Sequence, residues 1–125
     1  MQFDFDITEV PSNNKDGEVI YKICLKGEFS YYTHSEFSST ITDLLQKGVK
    51  KIIIDFNDLI LIDSEGIGKL IKYKKELLNK NGDLVITRCN DQVSSIIFPI
   101  NLGKIIKVFE NLEDGINYFS STENQ

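Results

Sequence analysis

Leu59-Ile60-Leu61-Ile62-Asp63-Ser64-Glu65-Gly66-Ile67-Gly68 is a continuous apolar run that stops at an acid and a hydroxyl, then passes two glycines into an amphipathic pattern. Ile67, Leu70, Ile71, Leu77 and Leu78 recur at helical spacing, with Tyr73 near the edge of the stripe and Lys69, Lys72, Lys75 and Lys80 elsewhere. Apolar residues three and four apart define one face of a helix. The spacing therefore predicts a buried strand feeding a helix over about 64–79, ended by Asn81-Gly82. The Ser64 hydroxyl is then expected at the helix N-terminus. Unpaired backbone N–H groups and the positive end of the helix dipole favour an anionic group at such a place. A serine there is a candidate for gaining and losing a phosphate.

Upstream, residues 51–56 carry Ile52-Ile53-Ile54, apolar on successive positions, as in a strand buried on both faces in the parallel part of a sheet. Residues 2–9 alternate, with Phe3, Phe5 and Ile7 against Asp4, Asp6 and Thr8. Residues 18–26 alternate again, with Ile20, Lys22, Cys24 and Lys26 against Val19, Tyr21, Ile23 and Leu25. Period-two alternation reads as half-buried strands, and the polar loop 11–17 joins them as an antiparallel pair. Gly27 is expected to break the second strand. Thr33-His34-Ser35-Glu36 has capping-box spacing, and Phe37, Ile41, Leu44 and Leu45 give a helical stripe that stops at Gly48. Downstream, 83–89 reads as a strand. Asn90 or Asp91 caps a short helix that reaches Phe98 and is stopped by Pro99. Residues 104–109 read as a further strand, and Asn111 as the cap of a last helix with Leu112, Ile116 and Phe119 facing inward. After the opening hairpin, strands and helices alternate. That order, β-β-α-β-α-β-α-β-α, implies an α/β fold with mostly parallel pairing and right-handed crossovers.

The 125 residues are about one domain, with no linker to divide them; a core over about 2–119 and a polar tail over 120–125 are expected. The apolar fraction of 41% and charged fraction of 26% are those of an ordinary soluble globular protein. A net charge of −5 argues against a general nucleic-acid binder, which is normally basic. No basic segment leads into an apolar core at the start, and no apolar run approaches the roughly 20 residues that span a bilayer. Neither a signal peptide nor a membrane span is expected, and the default compartment is the cytoplasm. Cys24 and Cys89, each in a predicted strand, read as two small buried hydrophobes. With one histidine, His34, and no close cysteine pair, no metal site is expected.

Other constellations have plain readings. Gly66-Ile67-Gly68-Lys69 holds fragments of a phosphate loop without its spacing, and packing of a helix on the sheet accounts for the glycines. Asp55, Asp58 and Asp63 lie near strand ends and read as solvated loop acids rather than Mg²⁺ ligands. No base for Ser64 and no nucleophile-elbow spacing is evident, so neither an enzyme nor a cofactor is expected. The lysines of the middle helix form either its wet face or a patch for an acidic partner. Tyr31 and Tyr32 are either exposed aromatic anchors or rings packed on the sheet edge.

The segment Lys51-Ile52-Ile53-Ile54-Asp55-Phe56, then Asn57-Asp58-Leu59, then Ile62-Asp63-Ser64 with Gly66-Ile67-Gly68, resembles the STAS domain, most closely that of bacterial anti-sigma factor antagonists. Gly27-Glu28-Phe29 resembles the family's turn after its second strand, and Asn81-Gly82-Asp83-Leu84 the turn into its next strand, so the resemblance covers about 2–119. It implies a mixed, mostly parallel sheet of four to five strands with about four helices packed mainly on one face. It also implies a protein that acts by binding. In such antagonists an unphosphorylated serine permits docking on an anti-sigma factor that is itself a serine kinase, a histidine-kinase-like ATPase. Docking releases the sigma factor, phosphorylation breaks the docking, and a serine phosphatase resets it.

The family's phosphorylated serine directly follows the Asp, which maps onto Ser64. The docking face so implied is Asp63, Ser64, Glu65, Gly66 and Ile67, with the loop from Glu28 through Phe29, Ser30 and Tyr31 to Tyr32. Two positions depart from the family pattern. Glu65 stands where many members carry Ser or Thr, and Phe29-Ser30-Tyr31 where many carry an Asp. The alternative is another interaction role on the same fold: a subunit of a signalling assembly or of a lipid-transport ATPase complex, with Ser64 structural.

Overall fold

In the computed structural model, which describes residues 2–10 and 18–122, five strands form one sheet in chain order. β1 (Phe3–Val10) pairs antiparallel with β2 (Ile20–Phe29). β3 (Lys51–Ile62), β4 (Asp83–Thr87) and β5 (Val108–Phe109) follow, each parallel to the strand before it. The expected connection 11–17 and the last three residues lie outside the described residues.

Alternation along β3 and β4 sorts the core into two layers, because successive side chains of a strand point to opposite faces. Ile52, Ile54, Leu84 and Ile86 bury against α1 (His34–Gln46), α2 (Ser64–Asn79) and α3 (Asp91–Ile97), which contribute Phe37, Ile41, Leu70, Leu77, Val93 and Ile97. Ile53 and Val85 point the other way and meet Phe119 of α4 (Leu112–Thr122), with Leu112 and Ile116 at the margin. The fold is thus α/β, with three helices on one face and one on the other. Asn111 caps α4 as expected, accepting from the Asp114 amide at 2.8 Å. That helix continues through Thr122, into the stretch expected as a polar tail.

Local expectations fail at identifiable places. Gly27 does not end β2: its φ of +87° and a register shift against β3 make a bulge, and the strand runs on to Phe29. A Cβ at Gly27 would lie 2.2 Å from the Gln2 carbonyl oxygen, so the bulge needs glycine. Thr33 makes no capping box. Its Oγ1 donates to the Glu28 carbonyl at 2.6 Å and accepts from the Ser30 amide at 2.9 Å, so the hydroxyl stitches the β2–α1 loop instead. β4 stops at Thr87, where Arg88 turns to a φ of +53°, and leaves Cys89 outside it. Residues 104–109 supply only the two-residue β5, preceded by a 3₁₀ turn, Leu102–Lys104. In α2 the edge residue Tyr73 is buried while Leu78 is 51% exposed.

Two buried charge clusters escape the sequence pattern. Asp55 is 1% exposed, not a solvated loop acid: it accepts from Arg88 Nε at 2.7 Å, Thr87 Oγ1 at 3.2 Å and the Asn57 amide at 2.9 Å. Lys74, buried on α2, pairs with Asp83, whose other oxygen accepts from the Tyr118 hydroxyl at 2.5 Å. Burial and that carboxylate push the Tyr118 phenol up to about 12. Cys24 and Cys89 are free and half-buried, and burial raises both thiols.

β3 outruns β4, whose register reaches only Asp55↔Thr87. The carbonyls past that point need other partners, since buried backbone groups left unpaired are costly. Asn90 provides them. Its Nδ2 donates toward the carbonyls of Phe56 (3.0 Å), Asn57 (3.1 Å) and Leu59 (2.7 Å), while its Oδ1 caps α3 by accepting from the Val93 amide at 2.9 Å. Asp caps a helix as well as Asn but cannot donate. Asn90→Asp should therefore keep α3 and still lower unfolding free energy by about 1–3 kcal/mol, read from urea midpoints at unchanged m-value.

Candidate functional site

Past Asp55 and again past Leu59, β3 uses one more residue than β2, and the two register shifts re-aim the strand end. Ile60 and Leu61 are consequently both exposed, on successive positions, before Ile62 returns to the core. The chain then turns at Asp63, whose extended backbone (φ −104°, ψ −178°) is that of an N-cap residue, and α2 begins at Ser64.

Asp63, not Ser64, supplies the cap. Its Oδ1 accepts from the Gly66 amide at 2.9 Å, and its Oδ2 accepts from the Tyr31 amide at 3.0 Å, across the gap to the β2–α1 loop. Burial pushes the Asp63 carboxyl up, but the amides of Gly66, Tyr31 and Glu65 together outweigh it and hold the group below the usual carboxylate range. Ser64 stands exposed in the first turn of α2. An added anion at its oxygen would meet the positive end of a sixteen-residue helix.

Gly66 is required by space. A Cβ there would lie 2.7 Å from the Phe29 carbonyl oxygen and 3.0 Å from Ile62 Cγ1, so α2 seats directly against the end of β2. The Asp63 amide closes the same corner by donating to the Phe29 carbonyl at 3.3 Å. Phe29 is itself fully buried, with its ring 5.0 Å from that of Phe37.

The loop after β2 is a tight turn held from within. The Thr33 amide donates to the Ser30 carbonyl at 3.1 Å, and the Tyr32 amide to Ser30 Oγ at 3.2 Å. Tyr31 and Tyr32 project from it, 62% and 75% exposed, with their rings edge-on at 5.2 Å. They are exposed aromatics, not rings packed on the sheet edge.

The residues nominated from sequence thus gather at one end of the sheet in different roles. Tyr31 and Ser64 are exposed; Glu28, Asp63, Glu65 and Ile67 are half-buried; Phe29, Ser30 and Gly66 are buried and shape the surface from beneath. Along the chain Thr33 reads as part of a capping box and not of this corner. Only the return of its hydroxyl to Glu28 in three dimensions shows that it holds the loop.

Because the folded Asp63 carboxyl sits below its unfolded value, its contribution to stability is complete above the ordinary carboxyl range and is lost as pH falls through the folded value. Between about pH 5 and pH 2 the parent should lose more stability than Asp63→Asn, the difference in urea midpoint shrinking toward the acid end.

The model of the STAS domain family matches residues 10–115. A protein assigned as an anti-sigma factor antagonist in Thermotoga maritima is 24% identical over 74 residues, 59% of this chain and 66% of the relative. The anti-sigma-B factor antagonist of Staphylococcus aureus is 25% identical over 93 residues, 74% of this chain and 86% of the relative. The solved structure of the anti-sigma factor antagonist SpoIIAA in its unphosphorylated form has a TM-score of 0.75 at 21% identity, covering 94% of this chain and 97% of that one. The same Bacillus protein in its phosphorylated form has a TM-score of 0.67 at 20% identity, covering 93% and 99%. The likeness to SpoIIAA speaks to fold alone. No described helix is long and apolar enough to cross a membrane. The family match takes in β2, β3 and the helix that Asp63 caps, and the chain belongs to the STAS domain family, similar to anti-sigma factor antagonists.

Proposed function

We propose that this chain is a non-enzymatic, cytoplasmic anti-sigma factor antagonist switched by phosphorylation of Ser64. Its partners are an anti-sigma factor that is a histidine-kinase-like serine kinase, and a serine phosphatase. The observation that carries this reading is the exposed Ser64 in the first turn of α2, beside an exposed aromatic loop. Relatives named as anti-sigma factor antagonists support it, and SpoIIAA is known in both phosphorylated and unphosphorylated forms.

The chemistry is a phosphoryl transfer. The γ-phosphoryl group of ATP passes to Ser64 Oγ, ADP leaves, and the hydroxyl proton goes to solvent; the phosphatase adds water and releases inorganic phosphate. The ester carries about −1.5 to −2 charges. The domain tolerates it because first-turn amides and the helix dipole favour an anion. A docked interface does not, because burying that charge with no cation to meet it costs several kcal/mol. Docking fails while the fold persists, which makes a local electrostatic switch. The docking face comprises Tyr31, Tyr32, Ser64, Glu65 and Ile67 at its surface, with Glu28, Phe29, Ser30, Asp63 and Gly66 supporting them.

Parent, Ser64→Ala and Ser64→Asp chains used as baits in the source cell's lysate, followed by calorimetry on the recovered kinase, test the reading. Ser64→Asp should weaken binding on the order of 10²-fold or more. Ser64→Ala should bind within a few-fold of the parent, and the melting temperatures of all three should nearly coincide. Equal affinity of parent and Ser64→Asp sinks the switch. Tyr31→Ala and Tyr32→Ala each remove an exposed aromatic anchor and should weaken the same complex about tenfold, with little change in melting temperature.

A further inference from the structure

The Asp63 carboxylate joins two elements. One oxygen holds the Gly66 amide in the first turn of α2, and the other holds the Tyr31 amide in the β2–α1 loop. Amide bonds from Ser30, Tyr32 and Thr33 close on the loop itself and shape the turn. The bond from Tyr31 to Asp63 fixes where the two exposed rings stand relative to Ser64. Ordered aromatics of this kind cost little conformational entropy when they dock.

Ser64 is the residue next to this carboxylate. A phosphate ester on its oxygen is a second anion at the same helix terminus, drawn to the same first-turn amides. Gly66 N–H then has two claimants of like charge on adjacent residues, and their repulsion favours rotation of the carboxylate away. A rotated Asp63 no longer accepts from Tyr31.

We propose that Asp63 is a positioning residue that couples Ser64 to the Tyr31–Tyr32 loop: it holds the two rings in docking orientation while Ser64 is unmodified, and releases them when Ser64 is phosphorylated. The proposal rests on the phosphorylation of Ser64 put forward above and adds a second component to it. Charge repels the partner directly, and the freed aromatic pair must be ordered again before it docks. Glu65, half-buried in the same turn, adds to the negative charge and leaves Asp63 less able to share the terminus with a phosphate.

Amide signals of the ¹⁵N-labelled full chain test the coupling. Asp63→Asn keeps a capping oxygen for Gly66, since Asn and Asp cap equally well, but sets an NH₂ group or no acceptor opposite the Tyr31 amide. In this variant the Tyr31 amide proton should move upfield and exchange with solvent about tenfold faster, while Gly66 keeps its protection. A chain with phosphoserine installed at position 64 during translation should show the same change at Tyr31 with no substitution at Asp63. That second chain also guards against a poorly folded Asp63→Asn.

Unchanged Tyr31 shift and exchange in the phosphoserine chain overturn the coupling. If that chain nevertheless fails to bind the kinase, the switch of the preceding subsection stands on charge alone. If Tyr31 is released and the kinase still binds at parental affinity, the coupling holds and the switch reading falls.

Discussion

β3 is twelve residues long, and β4 on one side of it covers only the first five. That mismatch is the constraint from which the rest of the corner follows. A central strand buried on both faces has to keep every backbone group paired, and past Asp55 it has β2 on one side and no strand on the other. The amide of Asn90 stands in for the missing strand, and two register shifts let β3 bend as it leaves the sheet. The overhang carries Asp63 and Ser64 past the end of the sheet, where the Ser64 side chain is reached by solvent and by other molecules.

What happens at that point is set by short-range packing and by charge. Gly66 lets α2 seat against the Phe29 carbonyl, and Asp63 fastens both the helix and the neighbouring loop. The buried charges Lys51, Asp55 and Lys74 lie elsewhere and are already paired, with Glu18, Arg88 and Asp83. The fold therefore has little stake in the charge on Ser64. The consequences of adding an anion there are confined to the docking surface and the Asp63 carboxylate beside it, while the core is untouched, which is the condition a binding switch needs.

The parts of this molecule legible in its sequence are those that depend on periodicity. Ile52-Ile53-Ile54 reads as a strand buried on both faces because both faces are covered, and the stripe from Ile67 to Leu77 reads as a helix because one side of it is. The parts that misread are those where a side chain or a backbone atom answers to a distant one. Gly27 looks like a strand breaker until β3 supplies the bulge it sits in. Thr33 looks like a cap until its hydroxyl finds Glu28. Asp55 looks like a solvated loop acid until Arg88 is brought beside it. Residues 104–109 carry strand-like composition, yet only Val108 and Phe109 find an edge to pair with.

The order of elements, the buried strand, the amphipathic helix after it and the serine at their junction are written along the chain, because local propensity and the alternation of apolar residues act between near neighbours. That Ser64 is exposed, that Asp63 grips Tyr31 from thirty-two residues away, and that Tyr31 and Tyr32 face solvent rather than the sheet edge, were settled only by folding. Hydrogen bonds and close approaches between distant segments depend on register shifts of a single residue, and no periodicity in the sequence records a shift that small.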